Sequence, residues 1–474
     1  MGKNKKGRIV ISFVGENASD VTGSSIHIQL PSGKQILLEC GLYQSCKGVA
    51  HDYKVNFSRL KYHPKEIDYV FVCHNHIDHI GKLPYLYKKG STAQIVAPEH
   101  NKAIAKALLD DCAYICEKDV ETLKRRDGNE HEPLYTSSDV DLCLTYYHEY
   151  PFNERIQLDD EISFQFIHSG HILNSAQLVL WLKVGSHVRK IVYTSDLGNC
   201  LIEKKYANEI QFVDQCDVLI GETTYAREKK TFTEKDREKD LKKLSSIIQQ
   251  TCIENNGKIL IPVFANDRCQ NIFSYIYDLY GNDPSFKVKV LVDSPMAVKI
   301  SKMYGTILDD SYYNKVLSWD NLVFVEGYEQ SKVYQGEDGP MIILSCGGMM
   351  QAGRVLNWAS KIIPNSNNHI VFCGYAPPDS LAGKIKTGIQ KYVSVAGRKI
   401  ANRCNVTILH TFSSHMQRES LIKYYSDVYC EKVALVHGEF DGKIEFAKDL
   451  QEEISRKNRT SKVICVNKST TIKI

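Results

Sequence analysis

The chain has 474 residues, which is too long for a single hydrophobic core and predicts about two or three domains. Hydrophobic residues make up 43% and charged residues 24%, an ordinary globular composition that excludes a disordered chain. The formal net charge of +4 is only mildly basic, so it permits a polyanionic partner without requiring one.

The cysteine content indicates a reducing compartment. The 15 cysteines are an odd number, scattered from Cys40 to Cys465 without a Cys-x-x-Cys pair, which favours free thiols over a disulfide-linked secreted protein. The first apolar stretch, Ile9 to Val14, is too short for a signal peptide, and no apolar run approaches the ~20 residues of a membrane helix. We therefore expect a cytoplasmic protein without a membrane segment.

Short apolar runs alternate with helical patterns along the whole chain, which predicts α/β layers. Strands are predicted at 67–73, 190–196, 217–222, 258–264, 287–292, 341–345, 369–374, 406–410 and 432–436. Helices are predicted around 104–115 and at 234–251, 417–425 and 442–454. Polar clusters occur before residue 225 and again after residue 405, so one domain is predicted to be interrupted by another.

A dense group of metal-ligand side chains follows the strand that ends at Cys73. It reads His74-Asn-His76-Ile-Asp78-His79. In extended backbone, residues two apart point the same way, so His74 and His76 can hold one ion together. Asp78 and His79 can reach a second ion beside it. The alternative is a solvated polar loop.

This HxHxDH pattern is the signature of the metallo-β-lactamase superfamily, and the chain resembles that family well beyond it. Residues 21–24 and 37–44 resemble its opening strands, 170–176 its third motif and 195–198 its fourth. The resemblance implies a first zinc site of His74, His76 and His171. It implies that Asp196 bridges to a second zinc, which is held by Asp78, His79, Asp196 and His437.

The second half of the chain resembles the β-CASP family. Residues 222–225, 411–415 and 435–439 are similar to its motifs A, B and C. Residues 261–265, 293–297 and 347–354 are similar to its inserted domain. The resemblance implies an αββα metallo-β-lactamase sandwich built from residues 1–222 and 402–474. An α/β β-CASP domain of residues 223–401 would be inserted, with the active site in the cleft between them.

The resemblance also implies a zinc-dependent ribonuclease. Two bridged ions would lower the pKa of a shared water and produce a hydroxide nucleophile. His415 would protonate the leaving oxygen and Glu222 would orient it, so the expected catalytic residues are Asp78, Glu222 and His415. From the residues alone, a surface or helix-capping histidine is the better explanation of His415. Nitrogen and oxygen ligands also leave Mn²⁺ open in place of zinc.

The expected substrate is single-stranded RNA, cut endonucleolytically, with 5′-to-3′ exonuclease activity left open. The segments that line the cleft in relatives point to four substrate-binding residues, namely Arg268, Ser294, Ser345 and Gly348. A plain turn and a surface charge are the alternatives for Gly348 and Arg268. A homodimer or an RNA-processing complex stays open.

Three other functions compete with this interpretation. A small-molecule hydrolase such as a thioesterase or lactamase is disfavoured because those enzymes do not need an extra domain that clamps a long substrate. A DNA nuclease of the same fold is disfavoured because DNA-acting relatives typically lack the histidine at the position of His437. A non-catalytic scaffold of a processing complex is disfavoured because no expected ligand is missing.

Four residues depart from the family pattern. Glu39 replaces an Asp, Cys73 a Thr, Asn174 a Gly and Gln417 an Asp. None is an expected ligand, but changes next to ligands typically cost 10–100-fold in metal affinity or activity.

Overall fold

The chain forms two compact units. The computed structural model describes residues 7–45, 47–201, 206, 208–374, 376 and 380–474. The first unit comprises Met1–Cys200, Ala207–Thr231 and His415–Ile474, and the second comprises Leu201–Tyr206 and Phe232–Ser414.

The elements follow in chain order. The first segment contains strands β1 (Val10–Phe13), β2 (Ile26–Gln29), β3 (Gln35–Leu38), β4 (Tyr69–Phe71), β5 (Gln94–Pro98), β6 (Tyr147–Tyr150), β7 (Ile156–Gln157), β8 (Ile162–His168), β9 (Ala176–Val184), β10 (His187–Tyr193) and β11 (Val218–Glu222). Its helices are α1 (Val49–Asn56), α2 (Ile77–Ile80), α3 (Leu83–Lys88), α4 (Lys102–Asp127) and α5 (Ser137–Thr145).

The second unit contains helices α6 (Glu234–Ile248), α7 (Arg268–Tyr280), α8 (Pro295–Leu308), α9 (Ser311–Leu317), α10 (Tyr328–Gly336), α11 (Arg354–Ile362) and α12 (Leu381–Lys386). Its strands are β12 (Lys258–Val263), β13 (Lys289–Asp293), β14 (Leu322–Phe324), β15 (Met341–Cys346), β16 (His369–Phe372), β17 (Tyr392–Val395), β18 (Arg398–Ala401) and β19 (Asn405–Ile408). The return segment adds α13 (Arg418–Asp427), β20 (Lys432–Val436), α14 (Phe440–Arg456), β21 (Lys462–Cys465) and β22 (Thr471–Lys473).

Two seven-stranded sheets form the centre of the first unit, in the orders β22-β1-β2-β3-β4-β5-β6 and β21-β20-β11-β10-β9-β8-β7. Successive side chains of β9 point to opposite faces of its sheet, so both faces of that sheet are covered. Leu178 and Leu180 enter the core shared by the two sheets, whereas Val179 packs with α13 and α14. Helices α3, α4 and α5 cover the outer face of the other sheet. These four layers confirm the predicted αββα sandwich.

The second unit is built on a parallel six-stranded sheet in the order β14-β13-β15-β12-β16-β19. Helices α11 and α12 contribute Trp358 and Ile385 to its core. The predicted insertion of an α/β domain is thus confirmed.

Two local expectations differ from the structure. Residues 21–24 form a bend rather than an opening strand, because Gly23 has φ +72° and Ser24 N donates to Asp78 O outside any strand ladder. Residues 405–408, expected in the return segment, form β19. This strand pairs with β16, so it belongs to the sheet of the second unit.

Candidate metal centre

Four side chains of the first unit converge on one point. The Nδ1 atom of His76 lies 3.2 Å from Nε2 of His74 and 3.3 Å from Nε2 of His171. Oδ2 of Asp196 lies 3.6 Å from Nε2 of His74 and 3.7 Å from Nε2 of His171. We call His74, His76, His171 and Asp196 the first cluster.

A second group lies beside it and consists of Asp78, His79 and His437. Oδ2 of Asp78 lies 3.3 Å from Nε2 of His437 and 3.7 Å from Nε2 of His79. Oδ1 of Asp196 lies 3.5 Å from Nε2 of His79 and 3.6 Å from Nδ1 of His437. We call Asp78, His79 and His437 the second cluster; one oxygen of Asp196 faces each cluster.

The donor atoms fit divalent metal ions such as zinc. Two ligand atoms at ~2.1 Å from a tetrahedral ion lie about 3.4 Å apart, close to the spacings in both clusters. Oδ1 of Asp196 is buried and accepts no hydrogen bond from the residues that the structure describes. A buried carboxylate oxygen without a donor is costly, and a cation beside it removes that cost.

The electrostatics of the two clusters also demand positive charge. Burial lowers the pKa of His74 and of His171 well below the usual range, so both rings are neutral, as metal ligands must be. Burial opposes ionisation of Asp196, but the charges of His437 and His79 hold its pKa well below the usual range. Burial opposes protonation of His79 and His437, but the charge of Asp196 raises the pKa of both. The carboxylates thus attract positive charge to both clusters.

Neighbouring parallel strands bring the distant residues to one edge of a sheet. β11 lies between β10 and β20 and is parallel to both. Asp196 follows β10, Glu222 ends β11 and His437 follows β20 directly. The carboxyl ends of parallel strands meet at the same edge, so these three side chains lie close together although residues Phe232–Ser414 of the second unit separate His437 from the other two in sequence.

Two glycines allow the loops of the site to approach each other. A Cβ on Gly41 would lie 1.7 Å from the carbonyl oxygen of Asp78, and one on Gly198 would lie 2.1 Å from that of Gly170. No side chain fits at either position. Gly41 therefore fixes the Asp78 loop, and Gly198 joins the Asp196 loop to the His171 loop.

Glu39, one of the four departures from the family pattern, supports the site. It is fully buried, and its carboxylate accepts hydrogen bonds from Cys73 N at 3.2 Å and Ser195 Oγ at 3.2 Å. Its Oε1 lies 3.4 Å from Nδ1 of His79, so it orients that ring with Nε2 toward the second cluster. The signals in the sequence were an acidic residue inside an apolar run and the acidic residue of the family pattern at the same position.

Thr224 holds the other histidine of the second cluster. Its Oγ1 lies 2.9 Å from Nδ1 of His437, which leaves Nε2 for the second cluster. Ser195 Oγ orients a histidine of the first cluster in the same way, because it lies 3.3 Å from Nδ1 of His74 and leaves Nε2 of that ring for the cluster.

The departures at positions 73 and 174 are compatible with the site. Asn174 has φ +53°, in the left-handed region that favours Gly and tolerates Asn better than most residues. Its carbonyl accepts from Nδ2 of Asn101, and Asn101 in turn accepts from Nδ2 of Asn75 in the metal-binding loop. Burial raises the pKa of the Cys73 thiol well above the usual range, and Cys73 belongs to neither metal cluster.

His415 and Glu222 lie next to the clusters. Nδ1 of His415 is 3.5 Å from Oε1 of Glu222 and 4.0 Å from Oδ2 of Asp196. The ring centroid of His415 is 4.5 Å from that of His171. Gln417 occupies the N-cap position of α13, so His415 does not cap this helix.

The four residues expected to contact RNA all lie in the second unit. Arg268 is buried and donates to Cys373 O and, at 3.3 Å, to Ser414 Oγ. Ser294 caps α8 by accepting from Ala297 N, and Ser345 donates to Asp293 O at 3.1 Å. Gly348 is partly exposed against the ring of Phe264. Their RNA contacts stay predictions.

Family models match three segments of the chain. The metallo-beta-lactamase superfamily matches residues 20–151, the Beta-Casp domain 269–385 and the Zn-dependent metallo-hydrolase RNA specificity domain 399–461. The fold is similar to that of a protein of unknown function from Enterococcus faecalis, with a TM-score of 0.55 at 12% identity, covering 98% of this chain and 100% of that one. At that identity the similarity supports the fold and nothing about function.

Curated relatives match over most of the chain. A ribonuclease of Thermus thermophilus is 28% identical over 432 residues, 89% of this chain and 91% of that protein. An RNase J-like protein of Methanocaldococcus jannaschii is 28% identical over 445 residues, 93% and 94% of the two chains. The transcription termination factor FttA of the same archaeon is 26% identical over 458 residues, 93% and 68%.

The four-layer fold and its histidine–carboxylate centre define a metal-dependent hydrolase. The chain belongs to the metallo-β-lactamase superfamily, as a member with an inserted β-CASP domain. The resemblance inferred from the motifs is thereby confirmed. None of the described helices is both long and apolar enough to span a membrane.

Proposed function

We propose that the chain is a ribonuclease that hydrolyses phosphodiester bonds of single-stranded RNA with two divalent metal ions. Zinc is the proposed metal at both clusters, with Mn²⁺ as the alternative. The observation that carries the proposal is Asp196, whose two oxygens face two separate sets of histidines. The match to an RNA specificity domain and the relatives named as ribonucleases support RNA as the substrate.

Each cluster provides the donors for one ion. His74 and His171 would bind through Nε2 and His76 through Nδ1, since these atoms point at one another. Asp78, His79 and His437 would hold the second ion, and Asp196 would join both. Divalent ions bound there polarise the phosphodiester and lower the pKa of water towards neutrality.

His415 is placed to move the proton that the leaving group needs. Glu222 faces its Nδ1, which fixes that nitrogen as the donor to the carboxylate. Nε2 is then the nitrogen that donates a proton to the leaving sugar oxygen.

The alternatives differ in their substrate and in their metal content. A DNA nuclease of the same fold would cut matched DNA in place of RNA. A non-catalytic scaffold needs no metal, and the donor sets described above argue against it. A cytoplasmic setting is part of the proposal, because the cysteines that the structure describes are free thiols.

The test uses purified protein with end-labelled single-stranded RNA and DNA of the same sequence, with zinc measured on the same sample. We expect RNA cleavage with about two zinc ions per chain, and internal products if the cut is endonucleolytic. A ladder of mononucleotides would instead indicate exonuclease activity. Cleavage of DNA alone, or no cleavage with both clusters filled, would reject the proposal.

A further inference from the structure

A cationic cavity of about 120 Å³ lies in the first unit, apart from the metal clusters. Its walls come from the loop after β1, the segment after β3 and the chain that follows α1. The charged residues that line it are Glu16, Arg59, Lys61, Lys82 and Lys468. Four cations thus face a single carboxylate.

The carboxylate of Glu16 already has a cationic partner. Glu16 forms an ion pair with Lys468, and Nζ of Lys61 donates to the carbonyl of Lys468 at 2.8 Å. Among the residues that the structure describes, no carboxylate lies within ion-pair distance of Lys61 or Lys82. The cavity therefore carries uncompensated positive charge.

Two of these lysines also have lowered pKa values. Burial and the neighbouring charge of Lys468 lower the pKa of Lys61. Burial lowers the pKa of Lys82, and Lys468 acts in the same direction. A bound anion would relieve both effects, since an opposite charge favours the protonated form.

One wall of the cavity is hydrogen-bonded to the metal-binding loop. Cys40 lines the cavity; its N–H donates to His79 O at 2.8 Å, and its carbonyl accepts from Lys82 N at 2.8 Å. Gly41, also in the wall, touches the carbonyl of Asp78. An anion in the cavity would thus contact the segment that fixes Asp78 and His79.

We infer that this cavity is a phosphate-binding site, which takes either inorganic phosphate or the terminal phosphate of an RNA strand. A cavity needs only ~10–15 Å³ to admit one water molecule, so the measured volume leaves room for a tetrahedral anion. Ammonium and guanidinium groups are the side chains that bind phosphate in proteins. The inference does not depend on the proposed ribonuclease activity, because binding can be measured directly.

The test measures inorganic phosphate binding by calorimetry on zinc-loaded wild-type protein and on Lys82→Met and Lys61→Gln, at equal zinc content. Phosphate that binds at the metal centre is common to all three proteins, so their difference reports the cavity. We expect at least tenfold weaker binding in both variants. Lys82→Arg, which keeps the charge, and Lys118→Gln, on the exposed face of α4, should bind as wild type does.

A second arm identifies the source of the phosphate. Binding of a short fluorescent RNA is compared with and without a 5′-phosphate and with and without a 3′-phosphate. If Lys82→Met weakens only the phosphorylated RNA, the ligand is that terminal phosphate; if it weakens inorganic phosphate alone, the ligand is the free anion. Equal phosphate affinity in wild type, Lys82→Met and Lys61→Gln would overturn the inference.

Discussion

Nδ1 of His415 lies 3.5 Å from Oε1 of Glu222, a carboxylate whose two oxygens are both held by backbone N–H groups. Oε1 accepts from Leu197 N at 2.9 Å and Oε2 from Thr224 N at 3.0 Å. His415 is itself tied to the Asp196 loop, because Gly198 forms a β-bridge with it and Met416 N donates to Leu197 O. The orientation of this ring is therefore set by segments that also carry metal ligands.

His415→Ala is expected to retain zinc and lose turnover. Removing a general acid typically costs 10²–10⁴-fold in rate, and His415 belongs to neither metal cluster. The measurements are kcat on RNA and zinc content of the same preparation. Loss of zinc along with activity would mean that His415 is a ligand.

Glu222→Gln is expected to act through His415. The amide cannot replace an acceptor that serves Leu197 N, Thr224 N and the imidazole at once, so kcat should fall. The double variant with His415→Ala should be no slower than His415→Ala alone, because residues that act as a unit are non-additive. Additive losses would show that Glu222 has an independent role.

His76→Ala is expected to empty the first cluster and abolish cleavage. Its Nδ1 lies at hydrogen-bonding distance from Nε2 of both His74 and His171, so it supplies one donor of the first cluster. Zinc content by mass spectrometry and RNA cleavage should both fall. Near-normal cleavage by this variant after metal stripping would contradict a metal mechanism.

Thr224→Val is expected to weaken zinc at the second cluster only. It removes the 2.9 Å contact to Nδ1 of His437 and leaves the ring free to rotate. A lost partner of a ligand histidine typically costs 10–100-fold in metal affinity. Competition with a chelator measures it, and Thr122→Val, on the exposed side of α4, is the matched control. An unchanged zinc affinity would show that Thr224 does not orient His437 for metal binding.

Asn174→Ala is expected to destabilise the fold by ~1–2 kcal/mol, because alanine is strained at a left-handed φ. Asn174→Gly should stay within ~1 kcal/mol of wild type, since glycine adopts this φ without strain. Urea unfolding measures both. Asn458→Ala, also at positive φ but at the end of α14, should lose similar stability without affecting zinc. Equal losses in the Ala and Gly variants at 174 would exclude the backbone explanation.

The metal ligands could be predicted from sequence because most of them lie in short motifs. His74, His76, Asp78 and His79 follow one strand, and the structure brings them together with His171, Asp196 and His437. Their roles as ligands stay predictions until a metal is measured.

The residues that orient the ligands could not be predicted in the same way. Glu39 acts on His79 and Thr224 acts on His437 across long stretches of sequence, and only the folded sheets bring each pair together. The same limit applies to β19. Its local pattern predicts a strand correctly, but only its partner β16 decides which sheet it joins.

The parallel pairing of β11 with β20 sets an order in which the centre can be assembled. Glu222 lies opposite Val436 in this pair, with residues Phe232–Ser414 of the second unit between them in the chain. The donors of the first cluster have all been synthesised by Asp196, within the first half of the chain, whereas the second cluster waits for His437 near its end. A slip of one residue between the strands would turn His437 to the opposite face of the sheet. A nascent chain thus has the first cluster's donors early, while the second depends on the correct register of two strands that are made far apart in time.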